Sequence, residues 1–166
     1  MTQKTTPYGL GEAQRFGFMA EVWALNVLLS RGYEAKLIND FNADSDILID
    51  GVCHCEVKIS RCYRRCVRAG YYRPCWQFDL SRMPRHRDSV VILVCQDALG
   101  DWYPFIAPSW YFFGRCRVNI TSHPTKYKGY LADCLNCWGN VADVLARVSI
   151  NSYQLPLIGE LSYANL

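Results

Sequence analysis

"SDILIDGVCHCEVKIS", residues 45–60, carries two apolar alternations on either side of Asp50-Gly51. Asp-Gly between two apolar-rich runs is a hairpin signal, because both residues tolerate the positive φ of a tight turn. In the run after the turn, strand geometry sends successive side chains to opposite faces. Cys53, Cys55, Val57 and Ile59 then share one face, and His54, Glu56 and Lys58 the other. The first face is apolar and suits a core. In the run before the turn, Asp46, Leu48 and Asp50 alternate with Ile47 and Ile49. Antiparallel pairing carries Asp46 toward the far end of the second strand, beside Glu56 and Lys58. Taken alone, Glu-x-Lys on a strand is an ordinary solvated face. Two carboxylates converging on a lysine at one strand end are different. Acids that close repel unless positive charge lies between them, and a divalent cation is the usual source.

Upstream, "GEAQRFGFMAEVWALNVLLSRGY" predicts a helix from Glu12 to Arg31, stopped by Gly32. At 3.6 residues per turn, Phe18, Val22, Leu25, Leu28 and Leu29 form one stripe. Glu21 falls inside it and Glu12 opposite. A carboxylate on a docking face needs a partner. That partner is either an arginine or, if Glu21 leans over the sheet, the Asp46 and Glu56 site.

Downstream, the formal net charge of +3 conceals a concentration of cations. Arg61, Arg64, Arg65, Arg68, Arg73, Arg82, Arg85 and Arg87 follow directly on Lys58, with Tyr63, Tyr71, Tyr72 and Trp76 among them. Arginine forks fit phosphates and aromatics stack on bases, so the stretch reads as a nucleic-acid contact; a solvated loop is the plainer alternative. Gly70 and Pro74 favour a loop there. "CWQFDLSRM" predicts a helix with Trp76, Leu80 and Met83 inward and Gln77 toward the site or the surface. "SVVILVCQD" is a buried strand, "DWYPFIAP" an edge strand limited by Pro104, and "GRCRVNI" a further strand. "HPTKYKGY" is a loop with a basic tip, and "LADCLNCWGNVADVLARV" one helix or two short ones.

The length of 166 residues suits one domain with a sizeable core, and 51% hydrophobic with 20% charged residues suits a soluble globular protein. No apolar run approaches the ~18 residues needed to cross a bilayer. "MTQKTTPYGL" lacks the apolar centre of a signal peptide, which points to the cytoplasm. Nine cysteines, an odd number without a secretion signal, argue against a disulfide framework. They are either packed thiols or, for Cys62, Cys66, Cys134 and Cys137, zinc ligands; only Cys134 and Cys137 have the C-x2-C spacing.

Gly17-x3-Glu21 on a helix, Gly32 eleven residues on, a strand, and then Asp46-x9-Glu56-x-Lys58 across a hairpin resemble the PD-(D/E)XK nucleases. The resemblance covers residues 11–97; residues 98–166 would be a C-terminal elaboration. "GFMAEVWALNVLLSRGYEA" is similar to the opening helix of archaeal-type Holliday junction resolvases. The Arg-rich insertion and strand-rich second half look like a restriction or homing endonuclease. Ser45 stands where the family name has Pro. The resemblance implies an α/β fold with a restriction endonuclease-like core in the order α-β-β-β-α-β, its mixed sheet flanked by helices on both faces. It implies a Mg2+-dependent DNA endonuclease in which Mn2+ can substitute. Asp46, Glu56 and the Val57 carbonyl would hold the ion, and Glu21 would join through water or help hold a second one. Lys58 would orient and help deprotonate the attacking water. His54 and Gln77 would be accessory or bystanders. Arg61, Arg64, Arg65, Arg68, Arg73, Arg85 and Arg87 would contact DNA. The partners implied are DNA and further copies of the chain, as a homodimer or higher homo-oligomer, with no membrane. The contrasting reading is a non-catalytic nucleic-acid-binding protein with a structural zinc.

Overall fold

The computed structural model describes residues 11–38, 45–81 and 88–160, with backbone alone for 151–160. In chain order the elements are α1 (Glu12–Ser30), β1 (Ala35–Leu37), β2 (Ile47–Ile49), β3 (Cys53–Arg61), β4 (Tyr63–Arg68), β5 (Tyr71–Asp79), β6 (Ser89–Gln96), β7 (Trp102–Pro108), β8 (Arg117–Ile120) and α2 (Gly139–Glu160). Short 3-10 turns at Ser109–Phe112, Pro124–Lys126 and Ala132–Cys134 join the later elements.

The helix α1 ends as the sequence predicts, with Gly32 at φ 90°. Its buried line is Ala20, Glu21, Ala24 and Leu28, however, and Leu29 is 46% exposed. The predicted stripe is rotated because Ala20 and Ala24 allow the helix backbone close to the sheet. The larger Trp23, Leu25 and Val27 flank that contact instead of forming it. The hairpin also follows the sequence. Asp50 and Gly51 both take positive φ, 50° and 71°, and β2 pairs with β3 in the register Ile47↔Cys55, Leu48↔His54 and Ile49↔Cys53.

A mixed five-stranded sheet results, in the order β1-β2-β3-β6-β7. Only β3 and β6 are parallel, with Glu56 beside Val91 and Lys58 beside Leu93. β6 is apolar from Val90 to Cys95, as a central strand should be, and β7 with its Pro104 is the edge.

Of the helix expected over residues 75–83, residues 75–79 belong instead to strand β5, and the expected Arg-rich loop is the hairpin β4–β5. β5 also pairs with β8, giving a three-stranded sheet β4-β5-β8. Trp76 and Leu80 are inward, at 1% and 4% exposure, but so is Phe78, at 2%. From Trp76 to Leu80 burial therefore repeats every two residues. A run this short also satisfies a helical spacing through Trp76 and Leu80 alone, and sequence periodicity could not separate the two. Met83, Arg82, Arg85 and Arg87 lie outside the described residues.

Each face of the large sheet has its own core. On one, Ala24 and Leu28 of α1 and Val141 and Val144 of α2 pack on Cys55, Val57, Ile92 and Ile106. On the other, Val91, Leu93, Cys95 and Phe105 pack on Trp76 and Phe78 of β5 and Val118 and Ile120 of β8. Among the described residues both helices thus lie on one face, and the second sheet covers the face where a helix was expected. Cys53, Cys55, Cys75 and Cys95 are fully buried, and burial pushes the Cys53 thiol up to about 12, so these sulfurs act as small core hydrophobes. No helix among the described residues is long and apolar enough to cross a membrane.

Candidate active site

Asp46 lies immediately before β2, with its backbone clamped on both sides. Its N–H donates to the Cys55 carbonyl at 3.0 Å, and its carbonyl accepts from the Ile38 N–H at 2.8 Å. The Val57 N–H donates to Asp46 Oδ2 at 2.9 Å, which fixes the carboxylate against β3. The preceding residue adds a tether. Ser45 is buried, and its Oγ lies 2.7 Å from His54 Nδ1. A proline at position 45 could not supply that hydrogen bond, so Ser45 has a local structural role. It also gives His54 a structural partner.

Glu56 and Lys58 project from the other face of β3, on the side of the second sheet, and form an ion pair at 2.8 Å. Both are largely enclosed, with side chains 13% and 23% exposed. Burial pushes the Glu56 carboxyl up to about 7, and the charges of Asp46 and, less strongly, Glu21 act in the same direction. The pull of Lys58 is outweighed. Glu21 is itself buried on α1, so the acid that falls within the helix stripe does reach this cluster electrostatically, though as the weakest of the influences on Glu56.

Asp46 and Glu56 bring hard carboxylate oxygens to one strand end, beside the Lys58 ammonium, with the charge of Glu21 felt from α1. No group of three or more carboxylate, histidine or cysteine side chains among the described residues could by itself hold a metal ion. The set Asp46, Glu56 and the Val57 carbonyl is a partial one. It fits Mg2+, which binds through one or two carboxylates and keeps its other positions for water and phosphate. It does not fit zinc. Cys62, Cys66, Cys134 and Cys137 form no metal-holding group either, with Cys66 exposed on β4 and Cys134 in the core.

Beside Lys58 opens a cleft between the first turns of α1, β3 and β5, lined among others by Phe16, Gly17, Lys58, Gln77 and Asp79. Gln77 borders the cleft but is engaged. In the amide orientation that satisfies its neighbours, its oxygen accepts from Arg117 Nε at 2.6 Å and its nitrogen donates to the Tyr63 hydroxyl at 3.3 Å. Sequence reasoning misses Arg117, on β8; the alternation of Arg115, Arg117 and Asn119 in "RCRVNI" is the signal that could have found it. Further along the cleft, Arg61 pairs with Glu12 at 3.1 Å and sits 4.2 Å over the Phe16 ring.

From the base of the cleft the ribbon β4–β5 extends with every residue of β4 and Tyr71–Pro74 of β5 exposed. Arg65 and Arg73 are direct cross-strand partners. Like charges directly opposed weaken a strand pair, so the ribbon carries more positive charge than its folding favours. Arg64 lies 5.8 Å from the Tyr72 ring, and Arg68 and Arg73 lie 5.6 and 5.3 Å from that of Tyr71, which orders the guanidinium groups along the surface.

No protein-family model matches the chain, and no curated protein matches it. Among solved structures, the chain is similar to a bacterial homing endonuclease, I-Ssp6803I, with a TM-score of 0.55 and 12% sequence identity. The match covers 87% of this chain and 99% of that one. At so low an identity the likeness establishes a shared mixed α/β fold.

Proposed function

We propose that this chain is a Mg2+-dependent DNA endonuclease of the PD-(D/E)XK kind, acting on duplex DNA in the manner of a homing or restriction enzyme. The observation that carries the reading is the convergence of Asp46, Glu56 and Lys58 on one strand end, with Glu21 within electrostatic reach. The likeness in fold to a protein described as a homing endonuclease supports it. So does the exposed ribbon. A two-stranded antiparallel ribbon enters the major groove of B-form DNA, about 12 Å wide, whereas the deep, narrow major groove of A-form RNA excludes it.

Asp46, Glu56 and the Val57 carbonyl would hold the ion, with Glu21 reaching it through water. When bound, Mg2+ supplies the positive charge that neutralises the scissile phosphate. Asp46 is held in place by the Val57 N–H, so its carboxylate is oriented before substrate arrives. Lys58 uses one N–H on Glu56; its other donors suit the attacking water and a phosphate oxygen. Arg64, Arg65, Arg68 and Arg73 neutralise backbone phosphates or read base edges. Cutting both strands takes two such sites, which calls for a homodimer or larger assembly.

Incubation with supercoiled plasmid and with a synthetic four-way junction, each in Mg2+ and in EDTA, tests the reading. Plasmid cleavage that requires the metal is expected, and Mn2+ should replace it. Junction cleavage without plasmid cleavage would turn the assignment to a resolvase. DNA binding without cleavage in either metal would remove the enzymatic reading.

A further inference from the structure

Gly17 lies in the interior of α1, where glycine costs about 1 kcal/mol relative to alanine. No turn or positive φ explains it. Nothing packs there either: a Cβ built at Gly17 meets no atom within 4 Å. The position therefore gives up helix stability for no gain in the described fold. It faces the cleft that contains Lys58. The cleft continues, along α1 and β3, into a second hollow lined by Glu12, Phe16 and Arg61. The two hollows share Ala13, Phe16 and Ile59, so Lys58 and Arg61 stand in adjoining hollows along α1 and β3, and Arg61 is held in the second by an exposed carboxylate and an aromatic face.

We propose that the groove formed by these hollows is the track along which one sugar-phosphate strand of the substrate runs into Lys58, and that Gly17 is kept without a side chain to give that strand room. The occupant follows from continuity with the candidate active site, since Gly17 and Lys58 line one cleft. It follows also from the two cations, each of which already holds a carboxylate oxygen, of Glu56 or Glu12, where a phosphate oxygen would sit; Asp79 is the opposing charge in the cleft. Arg61 is then a phosphate-binding residue whose exposed pair with Glu12 is exchanged for a phosphate oxygen. Such an exposed pair contributes little to stability, so the exchange is easy. The inference rests on the endonuclease reading and adds a subsite to it.

The test uses Gly17→Ala and Gly17→Leu in the full chain, with Asn26→Leu as a control on an exposed position of α1 away from the groove. Both Gly17 variants should melt higher than the parent, by about 2–4 °C for alanine, because a better helix former replaces glycine in open space. Gly17→Leu should nonetheless lower single-turnover cleavage of plasmid DNA, and affinity for the same DNA in EDTA, by tenfold or more, with alanine intermediate. The Mg2+-induced rise in melting temperature should be unchanged, since the metal residues are untouched. Asn26→Leu should cleave as the parent does. The proposal is overturned if Gly17→Leu binds and cleaves like the parent, or if Asn26→Leu loses as much as Gly17→Leu. Should the parent bind DNA but never cut it, the endonuclease reading falls alone, and the EDTA affinities of the parent and Gly17→Leu still decide the track. If the parent neither binds nor cuts, both fall.

Discussion

The informative residue is Glu56. Its carboxyl, pushed up to about 7 by burial and by its acidic neighbours, binds its proton more tightly folded than unfolded. Between the ordinary glutamate value and about pH 7 the native state therefore holds the extra proton, and stability falls as pH rises through that window. Glu56→Gln should flatten this fall and, in EDTA near pH 8, stabilise the protein by about 1–3 kcal/mol, since one pKa unit is worth about 1.4 kcal/mol. Denaturant titrations across pH measure it; a Glu56→Gln curve parallel to the parent's would contradict the assignment. Cleavage should follow the opposite trend and rise through about pH 7, because Glu56 must be ionised to take a metal. Cys55 offers a plainer case. It is fully buried among apolar side chains, so Cys55→Ser should cost about 1–3 kcal/mol by placing a hydroxyl in the core.

Between elements, the proposed function divides binding from chemistry. The ribbon β4–β5 carries arginines on an exposed surface, and β3 carries the lysine beside the acids. A protein that neutralises fewer phosphates releases fewer counterions on binding. Replacing Arg64, Arg65 and Arg68 together by Ala should weaken DNA affinity and flatten its salt slope by about 2–3. Lys58→Ala should leave the slope almost unchanged and lower cleavage by a factor on the order of 100, as for removal of a positioned acid-base group. Gel shifts over a salt series beside single-turnover assays separate the two. A ribbon variant with an unaltered slope, or a Lys58→Ala protein in which binding and cleavage fall equally, would break the division.

For the molecule as a whole, the proposed Mg2+ would couple to folding. An ion that binds only the native state stabilises it by about 2.7 kcal/mol at a hundredfold excess over its Kd. In a chain of this length that is a rise in Tm of about 5–10 °C. Mg2+ should produce such a rise in the parent, larger near pH 8 than near pH 6 because Glu56 must lose its proton. Asp46→Ala should abolish the rise and the cleavage together. In EDTA its own Tm should be unchanged or higher, since one of the mutually repelling carboxylates is gone. Calorimetry with and without Mg2+ decides this. An Asp46→Ala protein that still responds to Mg2+ would place the ion elsewhere.

The sequence alone determined what is local. Asp50-Gly51 encodes its own turn, the period-two pattern from Cys53 sorts the core thiols from Glu56 and Lys58, and Gly32 stops the helix. Asp46, Glu56 and Lys58 were therefore legible as a cluster, because a tight hairpin brings them together with little freedom in register. Glu21 was legible only as a charge on a buried face. Tertiary structure alone decided the rest. Residues 75–80 satisfy helix and strand spacing equally, and pairing with β4 and β8 selects the strand. That both described helices share one face depends on β5 and β8 covering the other. The contact of Arg61 with Glu12 spans 49 positions, and the groove beside Gly17 lies between elements that meet only when the chain is folded. Periodicity records which face of an element is apolar. It does not record which distant element will cover that face, because that choice is made by packing over the whole core.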